Sequence, residues 1–238
     1  LHYPLRRQRQ MCIRDSFDSK PPYIPYGSDV DILPAGETLA QFGLEPHRYI
    51  LFVGRLVPEN CAHHLVEAFR GLDTDLKCVI VGDAAYAEEY IASLKASAEK
   101  DTRIVFTGYV FGKGYQELGS NAYMFVETSG VGGTHPALVE AMAFGNCIVT
   151  HNTPENLETI GEAGFAYDGK QGAESLRVVL DDLLKDPLRV EHYRQEAQRR
   201  AHTVYSWEKV TDAYERLCYQ LTGAPLPERL ANIEKPYD

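Results

Sequence analysis

The sequence predicts an α/β fold, a parallel sheet with helices on both faces. Two observations carry this. From Tyr49 onward, short apolar runs of strand length alternate with longer segments of helical period, the pattern of strands joined by crossover helices. The runs are apolar throughout, as from Tyr49 to Val53, which suits strands buried on both faces.

The expected strands are Tyr49 to Gly54, Leu76 to Val81, Arg103 to Thr107, Ala122 to Glu127, Cys147 to Thr150 and Gly164 to Tyr167. Between them, Ala62 to Leu72 sets His64, Leu65, Ala68, Phe69 and Leu72 on one helical face, and Tyr86 to Lys100 does the same with Tyr90, Ile91, Leu94 and Ala98. Tyr115 to Leu118 is expected as a short helix. Pro136 to Phe144 begins on proline and has Gly145 just beyond its end, the usual helix asymmetry. Further helices are expected at Glu155 to Ile160, Gly172 to Lys185, Pro187 to Thr203 and Ser206 to Leu221.

Composition narrows the partners. The chain has 238 residues, 44% of them hydrophobic, and a formal net charge of -10. Duplex nucleic acid and anionic membrane gain no long-range attraction from such a chain, whereas a small anion needs only local donors. The five cysteines, Cys12, Cys61, Cys78, Cys147 and Cys218, are dispersed and form no C-x-x-C pair. This argues against a disulfide framework or zinc site and fits a reducing cytoplasm. The adjacent His63 and His64 point in different directions on a helix and make a poor metal pair.

Four regions follow. Residues 1–18 are basic and aperiodic and are expected to be a non-native or disordered leader. Residues 19–48 read as the remnant of a preceding domain and a linker, residues 49–222 as the main domain with its C-terminal helices, and residues 223–238 as a peripheral tail.

In parallel sheets, ligands bind beyond the carboxyl ends of the strands, which directs attention to the loops there. The first runs from Gly54 through Arg55 to Asn60. Glycine permits close backbone approach, the following helix offers its N–H groups to an anion, and Arg55 supplies a planar fork for phosphate. A plain strand-to-helix turn with Arg55 paired to a carboxylate is the competing reading. The second loop runs from Thr128 to Pro136 and contains Gly130, Gly132 and Gly133. The N–H groups of Gly132, Gly133 and Thr134 could form an anion nest, against a flexible turn as the alternative. Thr134 or His135 is the expected N-cap, and His135 is read equally as a donor to phosphate or sugar or as a solvent-facing cap. Glu140, one turn into the helix, is a candidate acceptor for sugar hydroxyls. Val110-Phe111-Gly112 could wall a base pocket. There is no Gly-x-Gly-x-x-Gly after a strand, so a dinucleotide site is not supported.

In order, Gly54-Arg55-Leu56, Gly108-Tyr109-Val110 and Glu140-Ala141-Met142 resemble the C-terminal, donor-binding domain of the large retaining GT-B glycosyltransferase family. Ile24-Pro25-Tyr26-Gly27 resembles its interdomain junction, and Ser206-Trp207-Glu208 the start of its final helix. The resemblance covers roughly Lys20 to Leu221. It implies a Rossmann-like sheet, one half of a GT-B fold, that binds a nucleoside-diphosphate sugar as substrate and needs no cofactor or metal. Gly54, Arg55 and position 60 would lie at the diphosphate, the backbone around Tyr109 and Val110 at the base, and Glu140 at the ribose. Gly132, Gly133, Thr134 and His135 would border phosphate or sugar, with Arg55 and Glu140 as the catalytic candidates. Two positions depart from the pattern: a lysine is replaced by Asn60, and the first Glu of a Glu-x7-Glu pair by Gly132. The Gly132–Pro136 version resembles a branch that includes rhamnosyltransferase-like proteins.

The resulting expectation is the donor half of a cytoplasmic enzyme of glycan or polysaccharide synthesis, inactive without an N-terminal acceptor domain. Peripheral membrane association stays open for the intact enzyme. A standalone nucleotide-sugar-binding module, or an epimerase or phosphorylase on the same architecture, are the alternatives, since fold alone does not separate them.

Overall fold

The computed structural model describes residues 23–231. The expected leader, the start of the junction and the end of the tail lie outside them. Six strands, β1 (Tyr49–Val53), β2 (Lys77–Val81), β3 (Ile104–Gly108), β4 (Met124–Glu127), β5 (Cys147–His151) and β6 (Phe165–Tyr167), form one sheet in the order β3-β2-β1-β4-β5-β6. Every pairing is parallel. This is the Rossmann-like, doubly wound order, and its direction reverses between β1 and β4.

Alternate strand residues feed two core layers. Ile50, Phe52, Cys78, Ile80, Met124, Val126 and Val149 face one side, where they meet α2 (Ala62–Arg70), α3 (Glu88–Ala98) and α7 (Ala173–Leu184) through residues such as Leu65, Phe69, Leu94 and Leu180. Tyr49, Leu51, Val79, Phe125 and Ile148 face the other. There they meet α1 (Glu37–Gln41), α4 (Lys113–Asn121), α5 (Pro136–Ala143), α6 (Pro154–Ile160) and α8 (Pro187–Val204) through Leu39, Leu118, Leu138, Ile160 and Ala197. Burial on both faces is why these strands read as continuous apolar runs. The helix starts follow local rules: Thr153, Asp186 and Ser206 cap α6, α8 and α9 (Trp207–Thr222) by accepting from the N–H three residues on.

Three elements differ from the sequence expectation. The helix expected over Tyr115 to Leu118 extends to Lys113–Asn121 despite Gly114 and Gly119. A Cβ at Gly119 would lie 2.4 Å from the Phe144 ring, so glycine's helix penalty is offset by a close packing that only tertiary contact reveals. Helix α1 falls in the segment expected as linker, with Leu39 and Leu44 buried in the core. In the expected tail, α10 (Glu228–Ala231) turns back so that Leu230 is buried. Among the described residues no helix is long and apolar enough to cross a membrane.

Glu117 attaches α1 to the sheet domain. Its Oε1 accepts from the N–H groups of Gly36 and Leu39, both at 2.8 Å, and its Oε2 from Thr38 at 3.2 Å. Burial pushes the carboxyl up, and the N–H groups of Leu39, Gly36 and Thr38 more than reverse this, leaving it below the ordinary glutamate value. A depressed folded pKa contributes stability above the unfolded value, lost as pH falls through the folded value. Glu117→Gln should therefore cost about 2 kcal/mol at neutral pH, and the difference from wild type should close below about pH 4. Urea unfolding from pH 7 to pH 3 measures both; a gap that stays constant across that range would contradict the assignment.

Candidate functional site

At the switch point the sheet parts. β1 and β4 register only at Ile50 with Met124 and Leu51 with Phe125, whereas β4 and β5 stay paired to Glu127 and Thr150. Beyond Leu51 and Phe125 the two chains need other partners for their polar groups, and the loops that follow supply them.

Asn60 is the centre of this brace. Its Nδ2 donates to the Arg55 carbonyl at 2.9 Å, and its Oδ1 accepts from the Ser129 hydroxyl at 3.2 Å. The Thr128 hydroxyl donates to the Asn60 carbonyl, and the Gly130 N–H to that of Glu59 at 3.1 Å. Helix α6 joins from below, where Asn156 in its first turn donates from Nδ2 to the carbonyls of Ser129 and His151 at 3.3 and 3.2 Å. The Asn60 amide thus holds the two loops together by hydrogen bonds. Ser129 and Asn156 went unrecognised in the sequence because their partners come from distant loops.

Gly82 supports the same loop from the neighbouring strand. Its φ is +135°, and a Cβ there would lie 1.9 Å from the Gly54 carbonyl oxygen. The Gly54 N–H donates to Val81, and Leu56 to Asp83. Position 82 is therefore the floor on which Gly54 and Arg55 rest, a role that a Gly-Asp dipeptide alone does not disclose. Arg55 is exposed and donates from Nη1 to the Tyr86 hydroxyl at 3.1 Å. Among the described residues it forms no ion pair with a carboxylate, so the plain-turn reading lacks its counter-charge.

The glycine-rich loop leads into α5, with Pro136 at its first position. His135 takes the N-cap place with φ -86° and ψ 120°, but its side chain makes no capping bond. Its ring lies instead against Gly132, where φ is +121° and a Cβ would come within 2.9 Å of His135 Cε1. A glutamate at position 132 would need this ring to move. Gly133 has open space around it. The Thr134 hydroxyl bonds the hydroxyl of Tyr23, which brings the expected junction segment to the loop. Beneath lies Glu127, a buried carboxyl that accepts from the Ser129 N–H at 2.9 Å. Burial raises its pKa, opposed by the charge of His135 and the Ser129 N–H. A carboxyl at a strand end gave no sequence signal that separated it from the core.

One turn into α5, Glu140 Oε2 accepts from the Tyr115 hydroxyl at 2.5 Å. At the end of β3, Tyr109 and Phe111 stack at 5.6 Å between centroids and 17° between planes, both exposed, while Val110 turns inward to pack on the core. The structure thus gathers Gly54, Arg55, Asn60, Gly132, Gly133, Thr134 and His135 on the two loops flanking the switch point, and sets Glu140 on the helix that follows. Tyr109 sits two strands away.

Burial disfavours positive charge on two histidines. His64 is pushed down to about 4 by burial and by the charges of His63 and His151. His151 is also lowered by burial, with Asp168 opposing. Among the described residues no cluster of three or more His, Cys, Asp or Glu could hold a metal ion, and Cys61, Cys78, Cys147 and Cys218 are free thiols. The arrangement can hold an anion by backbone N–H groups and one guanidinium, beside a carboxylate that accepts hydroxyl hydrogens.

A doubly wound sheet with glycine loops at its switch point is the architecture in which open α/β sheets take ligands beyond their strand ends. The chain belongs to the glycosyl transferases group 1 family, whose profile matches residues 37–200. It is 25% identical over 200 residues to the alpha-maltose-1-phosphate synthase of Mycobacterium tuberculosis, covering 77% of this chain and 52% of that protein. Sucrose-phosphate synthase from Thermosynechococcus elongatus superposes with a TM-score of 0.75 at 22% identity, covering 92% of this chain and 57% of that one. Anabaena Alr3699/HepE, in complex with UDP and glucose, gives a TM-score of 0.68 at 18% identity, covering 78% and 51%. The chain spans about half the length of the curated relatives it matches.

Gly82→Ala should lower stability by about 3 kcal/mol, from the positive φ and the clash with Gly54 together. Urea denaturation reads this directly, and an unchanged unfolding midpoint would remove Gly82 as the floor of the Arg55 loop.

Proposed function

We propose that this chain is the donor-binding half of a retaining GT-B glycosyltransferase that moves a sugar from a nucleoside-diphosphate sugar to an acceptor in glycan or polysaccharide synthesis. The observation that carries this reading is the meeting of two braced glycine loops at the switch point, with Arg55 unpaired by any described carboxylate and Glu140 one turn into the adjoining helix. The binding of UDP by Alr3699/HepE supports a nucleoside diphosphate as the ligand class.

In this reading the diphosphate lies against the N–H groups of Gly132 to Thr134 and the guanidinium of Arg55. These donors are already fixed when the sugar–phosphate bond breaks, so they stabilise the negative charge that develops on the departing diphosphate without reorganising. Glu140 accepts from the ribose hydroxyls. The exposed stack of Tyr109 and Phe111 offers the base an aromatic border. No residue of this chain is assigned to the acceptor, which a second, N-terminal domain would hold; the chain alone would then bind donor without turnover. Gly132 and Asn60, in place of two charged residues, support a donor set apart from the common family pattern, in keeping with the rhamnosyltransferase-like branch. The reading places the enzyme in the cytoplasm, using no cofactor.

Two measurements test this. Calorimetry with UDP should give saturable binding to the chain, and Arg55→Ala should weaken it by about 1.5–3 kcal/mol, the range for a charged hydrogen bond. An unchanged affinity would remove Arg55 from the site. With labelled nucleotide sugar, the full-length protein should give retained transfer product and this chain none; efficient transfer by the chain alone would refute the division of labour.

A further inference from the structure

Glu140 has a side-chain partner on a neighbouring helix. The Tyr115 hydroxyl lies 2.5 Å from Glu140 Oε2, and the Tyr115 ring packs edge-on against Phe144 at 6.0 Å and 79°. We infer that Tyr115 is a positioning residue of the donor site, which holds the Glu140 carboxylate in one orientation and leaves Oε1 to receive the ribose hydroxyls. This rests on the reading of Glu140 as the ribose acceptor.

The geometry gives the contact a fixed sense. Burial, then the charge of Glu140, pushes the Tyr115 phenol far above its ordinary value. The phenol therefore keeps its proton, and the hydroxyl is the donor. An ionised carboxylate only accepts, so Oε2 is taken by Tyr115 while Oε1 faces a partner that must donate, as a sugar hydroxyl does. A lone glutamate on a helix surface has several rotamers to lose on binding, and a carboxylate already held by a phenol has fewer.

Tyr115 is itself held. Its helix α4 is tied to the sheet by the Tyr49 hydroxyl, which donates to the Leu118 carbonyl at 2.6 Å. Asn146 Nδ2 donates to the Gly119 carbonyl at 3.0 Å from the end of α5's own connection. On its other side Glu117 grips the backbone of Gly36, Thr38 and Leu39. The phenol is thus mounted on a helix fixed from three directions, and Glu140 is aligned from outside its own helix.

Tyr115→Phe removes only the hydroxyl. Calorimetry on the full 238-residue chain, with UDP and with 2′,3′-dideoxy-UDP as probes, separates the roles. Wild type should bind UDP more tightly than the dideoxy compound. Tyr115→Phe should weaken UDP about tenfold and leave the dideoxy compound within about twofold, so that discrimination shrinks. In a Glu140→Ala background the same change should add nothing, because the acceptor is already gone. Equal weakening of both ligands, no change for either, or full additivity with Glu140→Ala would overturn the inference. If wild type binds UDP and the dideoxy compound alike, or binds neither, the reading of Glu140 fails first and takes this inference with it. If wild type discriminates and Tyr115→Phe still does, the inference alone fails. Circular dichroism of both variants confirms that a folded chain is being compared.

Discussion

Asn60 joins two loops that the sheet itself does not pair. β1 and β4 share register only at Ile50 with Met124 and Leu51 with Phe125, because the crossover after β1 leads towards β2 and the one after β4 towards β5. The parting leaves polar backbone near a crevice, where an unpaired group is costly. The Asn60 amide satisfies Arg55 on one side and Ser129 on the other, and Asn156 secures the second loop from beneath. The positions of Arg55 and the glycine-rich loop both follow from this brace.

The electrostatics follow the same economy. A chain of net charge -10 offers an anion no long-range attraction, so affinity must come from donors within contact distance. Burial disfavours the charged forms of His64 and His151, which puts the weight on Arg55 and oriented N–H groups to meet negative charge. Glu127, buried below the loop, is pushed towards its neutral form, which lessens the repulsion an anion above it would meet. The partly offsetting influence of His135 ties the charge of that carboxyl to the residue just before α5.

Rigidity reaches the site through α4. Its Glu117 grips the segment before the sheet and its Tyr115, two residues earlier, touches Glu140, so one short stretch of helix contacts both. Tyr23 adds a direct contact between the preceding segment and Thr134. Any rearrangement of that segment would be felt at the glycine-rich loop by contact, with no need for a longer route.

The sequence by itself determined the parallel α/β sheet, the six strands and the loops that carry the site. Those features are written in local chemistry: apolar runs such as Tyr49 to Val53, the proline start at Pro136, and glycines at strand ends. They survive folding because period and turn chemistry act over a few residues. Only the tertiary structure decided what Asn60, Gly82, Glu117 and Tyr115 do. In sequence Asn60 stands out only as a departure and the other three look unremarkable, and each takes its role from a partner distant in the chain: Ser129, the Gly54 carbonyl, the N–H groups of residues 36–39, and Glu140. Gly119 makes the same point for the fold, since the ring of Phe144 gives a glycine within a helix its purpose. Hydrogen bonds and close packing act between neighbours in space, and neighbours in space at a switch point come from strands that the chain visits far apart.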